Sequence, residues 1–164
     1  VTLAGVSSMS GQQRLEGPGS ESEIASFPKF SHRFAFHGQV IIARKFSERF
    51  SLQFSPGYTH RNLVPFEDQN GMFNLGFATR VQVSRSLAIV ADGAFPLIDT
   101  RTTDVGYYPA LGFGLEMETS GHVFQVNFTN ATALTETDFI PYTTSNWLDG
   151  EFRLGFTISR WFNL

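Results

Sequence analysis

Cysteine is absent from the 164 residues, which removes disulfide frameworks and thiolate metal sites from consideration. Charge is scarce: 16% Asp, Glu, Lys and Arg, against roughly 25% in an ordinary soluble domain. Together with a mean hydropathy of −0.09, this argues against a disordered tail or a coiled coil. Twelve Lys and Arg against fifteen Asp and Glu leave no basic footprint, so nucleic acid is not an expected partner. No run of 18 apolar residues occurs, so no membrane-spanning helix is expected. There is no initiating Met and no signal peptide, so a mature form or a fragment is expected.

What the chain does have is phenylalanine, 18 residues of it, placed with a period of two. Residues 72–83 alternate Phe73, Leu75, Phe77, Thr79, Val81, Val83 with Asn74, Gly76, Ala78, Arg80, Gln82. Similar alternation runs through 107–118, 122–130 and 151–162, and less cleanly through 34–45, 50–61 and 87–95. A helix would scatter these side chains around its whole circumference, whereas a strand sorts them onto two faces. Seven strands are therefore expected after residue 33. Residues 1–32 read as a weaker eighth strand over 1–9 followed by a polar loop, with 33–164 forming a single domain.

The connections alternate too. Short turns at 47–49, 84–86 and 119–121 interleave with long polar loops at 62–71, 97–106 and 131–150. That asymmetry is the pattern of an antiparallel up-and-down transmembrane β-barrel, with short turns on one side of the membrane and long loops on the other. Strands of about 12 residues at roughly 3.3 Å each, tilted about 40°, rise about 30 Å, enough for an apolar band about 25 Å tall.

Alternation alone does not say which face is inside. A soluble β-barrel would turn its Phe face inward around an apolar ligand; a membrane barrel turns it toward lipid. The polar face favours the second arrangement, being rich in Gly, Ala, Ser, Asn and Gln rather than in the charge of a water-facing sheet. Arg44 and Arg160 break the apolar face only at the short-turn ends, where a long cation snorkels to the interface. Tyr58, Tyr107 and Tyr108 mark one rim, and Phe46, Phe50, Trp161 and Phe162 the other, as aromatic girdles do. The chain ends on an alternating aromatic strand, with Leu164 where the last residue of such barrels is usually Phe.

Several stretches resemble a family of β-barrel proteins of Bacteroidetes-type bacteria, often labelled membrane or secreted. They are QVIIARKFSERFSLQFSPGYTHRNLV at 39–64, SGHVFQVNFTNATALTETDFIP at 120–141 and GEFRLGFTISRWF at 150–162. The resemblance covers most of 33–162. It implies a bacterial outer-membrane location and a barrel of more than eight strands, of which this chain is the C-terminal part. It brings no activity.

No catalytic constellation is legible. His32, His37, His60 and His122 lack metal-ligand spacing. A hydrolase assembled from Ser55, His60, Asn62 and Asn130 fails on parity, because Ser55 and His60 lie on opposite faces. The carboxylates of 66–71 and 99–104 lack the full spacing of a calcium loop. Neither cofactor nor metal is expected. The lumen-lining candidates are Arg80, Asp92, Glu116, Glu118, Gln125, Asn127 and Arg153, with Glu151 beside them. Arg80 and Arg153 are expected to pair with Glu116. Such residues either line an aqueous pore or plug a narrow interior. The expectation is a non-catalytic barrel, either pore or scaffold, whose partners are membrane lipid and other outer-membrane proteins.

Overall fold

The computed structural model describes residues 2–9, 13–14, 23–24, 29–64 and 68–160, the first three stretches through their backbone alone. Ten strands follow in chain order: β1 Thr2–Met9, β2 Gln13–Arg14, β3 Glu23–Ile24, β4 Phe34–Ser47, β5 Phe50–Arg61, β6 Gly71–Gln82, β7 Leu87–Leu97, β8 Ala110–Thr119, β9 His122–Thr129 and β10 Arg153–Arg160. A short helix, α1 (Glu136–Tyr142), sits in the connection between β9 and β10.

Eight strands form one antiparallel up-and-down sheet in the order β1-β4-β5-β6-β7-β8-β9-β10. β2 and β3 make a separate two-stranded ladder within the β1–β4 connection, inside the stretch expected to be plain loop. β1 and β10 are the two edges, each paired on one side only, so the sheet is not closed into a barrel. No helix among the described residues is long and apolar enough to cross a membrane, which says nothing about strands.

The elements sit close to their expected bounds, and chemistry explains the departures. The strand expected from residue 107 begins at Ala110. Pro109 has no N–H to donate, and the Tyr108 N–H bonds Thr143 O at 2.9 Å instead of joining a ladder. The β4–β5 pairing is interrupted at Val40 and Ile41, alongside Pro56. The β8–β9 turn closes on Gly121 at φ +90°, a conformation that disfavours any Cβ.

The faces separate as the period of two requires. Phe73 and Phe156 are 66% and 58% exposed, and the other strand Phe, Leu and Ile residues of the same parity stand beside them. They meet one another along that face: Tyr58 with Phe73, Phe77 with Phe95, and Phe128 with Phe152, at centroid distances of 5.1, 5.8 and 5.8 Å. A Phe-lined interior, the premise of the soluble ligand-binding alternative, is therefore not formed; the aromatic side is the outside. The opposite face is small and polar. Its buried members include Ala35, His37, Ser55, Thr59, Asn74, Ala88 and Ala110. Glycine there is a matter of space: a Cβ on Gly112 would lie 2.6 Å from Asp92 Oδ1. The apolar core is correspondingly slight, with Met72, Ala94 and Ile140 in contact and Ile98 and Phe139 packed against them. Ile140 and Phe139 belong to α1, so the core lies between the polar face and a loop.

Candidate functional site: a polar sheet face capped at one end

Parity places Arg80, Asp92, Glu116, Glu118, Gln125, Asn127 and Arg153 on the same small-residue face, and the ladder registers distribute them along its length. Toward the short turns, Arg80 Nε donates to Glu116 Oε1 at 2.8 Å, and Arg80 Nη1 to Gln82 Oε1 at 2.6 Å. Arg80, Glu116, Glu118, Gln125 and Ser159 line a hollow of about 550 Å³. A neighbouring hollow of about 520 Å³ shares Arg80 and Gln125 and adds Ser51, Gln53, Ala78 and Asp92. Gln125 Nε2 donates to Asn127 Oδ1 at 2.8 Å.

Arg153 departs from its expected pairing with Glu116. β10 begins at the long-loop end, opposite Thr129, so its first guanidinium lies far along the sheet from the Arg80–Glu116 pair. Arg153 Nη1 donates instead to Ser145 Oγ at 3.2 Å and Asn130 O at 3.3 Å.

The long-loop end is closed by the 131–150 connection, which folds back over the polar face rather than standing away in solvent. α1 touches β1, β4, β5 and β7. Thr137, Ile140 and Pro141 are its buried residues, and Pro141 accounts for its brevity. Arg61, at the end of β5 and 5% exposed, donates through Nη1 to Thr137 O at 2.5 Å and Asp138 Oδ1 at 2.6 Å. The Tyr142 ring has the Arg61 and Arg101 guanidiniums each 4.9 Å from its centroid, and Arg101 also lies 4.6 Å from the Tyr107 ring. Arg101 in turn pairs with Asp68. One set of two arginines, two tyrosines and two aspartates thus ties the loops 62–70, 98–109 and 131–150 together. Burial pushes the Tyr142 phenol above its ordinary range, and Tyr107 likewise. Beneath the cap, Thr59 Oγ1 stands 2.9 Å from His37 Nδ1 and accepts from Asn74 Nδ2 at 3.1 Å.

Asn130, 1% exposed, fixes where the capping loop leaves β9. Its amide donates to Pro109 O at 3.0 Å and Ser145 O at 2.9 Å, and its carbonyl accepts from Leu111 N at 2.7 Å. These bonds commit the side chain to holding backbone in place. The other members of the set weighed for a hydrolase lie apart: Ser55 is buried on the polar face, while Asn62 donates to Ser31 O at 2.7 Å. Asp68, one of the carboxylates weighed for calcium, is taken up by Arg101, and Glu67 lies outside the described residues.

Of the rim residues, Arg44 stands on the exposed face with its guanidinium 5.1 Å from the Phe46 ring centroid. Tyr58 is exposed against Phe73, and Arg160 ends β10, exposed and bordering the hollow of about 550 Å³. Tyr107 is a correction: it is 9% exposed, turned into the cap against Arg101 instead of outward, because its segment has left the sheet before Ala110. Trp161 and Phe162 lie outside the described residues. The rim has members that alternation does not reveal. Trp147, in a 3₁₀ turn of the capping loop, stacks on Phe152 at 5.3 Å, meets Phe113 edge-on at 5.7 Å and donates Nε1 to Leu111 O at 3.3 Å. A lone Trp in a polar loop was the available signal. Leu148 beside it is 93% exposed.

Comparison with known proteins agrees with this arrangement. A family model described as a Membrane bound beta barrel domain (DUF5777) matches residues 1–162. No curated protein matches. No solved structure matches either.

Proposed function

We propose, from the premise that this chain belongs to the membrane bound beta barrel domain family, that it forms the wall of a non-catalytic outer-membrane barrel in a Bacteroidetes-type bacterium. The barrel is closed at its long-loop end and serves as a structural scaffold for other outer-membrane proteins, with no cofactor. Lipid covers the Phe face, which is apolar enough to need it. The observation that carries the scaffold reading over an open pore is the cap: α1 packs its Ile140 onto Met72 and Ala94, and Arg61 holds its backbone. A pore needs a continuous wet path, and this loop occupies it. The pore reading draws on the hollows of about 520 and 550 Å³ at the short-turn end, which are lined by mixed charge.

The test is planar-bilayer conductance on the intact protein extracted from membranes, alongside gel mobility before and after boiling. The scaffold reading expects a heat-modifiable band, no steady conductance, and conductance appearing when residues 133–143 are deleted. Steady conductance from the unaltered protein would establish the pore instead. A protein that stays in solution without detergent and shows no heat-modifiable band would overturn the membrane assignment itself.

A further inference from the structure

One end of the sheet carries an excess of exposed cations. The short-turn end carries Arg44, Lys45, Arg49, Arg85 and Arg160, all exposed, against Glu48 and Glu118. At the opposite end the exposed charges are mixed, with Asp99, Asp104, Asp149 and Glu151 beside Lys29, Arg33 and Arg153. Most of the short-turn cations are not neutralised within the chain. Lys45 Nζ meets Glu48 Oε2 at 2.9 Å, and that hydrogen bond holds the Glu48 carboxyl below its ordinary range. Among the described residues, Arg44, Arg49 and Arg85 have no carboxylate partner; Arg44 has only the Phe46 ring.

Their placement gives the charge a direction. Arg44 projects from the apolar face at the end of β4, while Arg49 and Arg85 occupy the turns beyond β4 and β6. These cations therefore form a rim just past the Phe band, at the height where lipid headgroups meet water. Guanidinium binds phosphate through paired N–H donors, so an arginine rim recognises the phosphodiester more specifically than ammonium would. Three guanidiniums without a carboxylate partner, beside a Glu48 already taken up by Lys45, favour a headgroup with net negative charge over a zwitterion, whose own ammonium would be brought among them.

We infer that this rim is a recognition surface for anionic phospholipid in the leaflet at the short-turn side. The inference rests on the membrane-barrel reading above and goes beyond it in naming which lipid surrounds that end.

The test reconstitutes the intact protein, carrying Phe50→Trp and Trp147→Phe so that a reporter stands at the short-turn end, into vesicles of phosphatidylcholine containing a brominated lipid, either phosphatidylglycerol or phosphatidylcholine, and compares quenching of Trp fluorescence. Heat-modifiable mobility is recorded on the same samples. The inference expects phosphatidylglycerol to be enriched on the order of tenfold at low salt. That enrichment falls to within about twofold at 1 M salt, where the screening length is about 3 Å. The triple variant Arg44→Gln, Arg49→Gln, Arg85→Gln loses it, and the corresponding Arg→Lys triple keeps part of it. Should the Gln triple fail to insert, the salt dependence of the reporter protein with its arginines intact decides the matter. Equal quenching by the two lipids, from a protein whose heat-modifiable band shows it inserted, overturns the inference and leaves the barrel reading standing. A protein that inserts into neither vesicle overturns both.

Discussion

Arg61 shows how much rests on single side chains at the capped end. Its guanidinium reaches 77 residues along the chain to Asp138 and also to the Thr137 carbonyl. Arg61→Ala removes both bonds and one cation from the Tyr142 ring. Asp138 is partly solvated, so the loss is discounted from that of a fully buried pair to about 2 kcal/mol. Hydrogen exchange of the Glu136–Tyr142 amides then accelerates roughly 30-fold while the strand amides of β6 and β7 hold. The phenols of Tyr107 and Tyr142 give a second measurable consequence. Burial raises both, so below about pH 10 folded and unfolded chains are alike neutral at these groups. Above it the unfolded chain ionises first, and the cap loses stability as pH rises. Absorbance titration at 295 nm should show a late-ionising fraction that disappears in the Tyr107→Phe, Tyr142→Phe double variant. None of this cluster was legible beforehand. Arg61, Asp68, Arg101, Asp138 and Tyr142 are ordinary loop or strand-end residues in the sequence, and only the tertiary fold brings them within reach. Tyr107 was misread as a rim residue for the same reason.

At the scale of elements, the strands were legible and the helix was not. A strand imposes a period of exposure that the Phe, Leu and Val spacing of β6, β8 and β10 displays openly. α1 has seven residues and a Pro inside, too short for a 3.6-residue pattern to rise above its polar surroundings. The small residues opposite the aromatics are legible as a pattern, but their necessity emerges only from the cross-strand register. Gly114 lies opposite Asn127, and a Cβ there would run into that amide and lie 2.9 Å from Val90 Cγ2. Gly114→Val is expected to cost about 2 kcal/mol through overpacking on the polar face. The measurement is the temperature at which the compact gel band gives way to the extended one. A fall of several degrees is expected, against little change for Ala43→Val, which faces the open hollow.

For the whole molecule, the sheet's polarity decides the reading. Aromatics outside and small polar residues inside is the inverse of a water-soluble barrel, and the composition already pointed there. The two edges, β1 and β10, carry backbone donors and acceptors that hydrocarbon does not tolerate unpaired. They must therefore be joined to each other or to further strands before the sheet lies in lipid. Oxidative crosslinking of an Ala4→Cys, Thr157→Cys pair, both on the polar-face parity, tests the first option: a bond formed within one chain in membranes is the outcome of direct closure, and its absence points to intervening strands. The capping loop adds a constraint on time. Because α1 lies in the connection between β9 and β10, its landing surface on β4, β5 and β7 is expected to form before it settles, with β10 pairing onto β9 from the end held by Asn130 and Arg153. On that order the last two strands wait on their own connection. A lesion in 131–150 should appear first as a delay in maturation, and only afterwards as a weaker product.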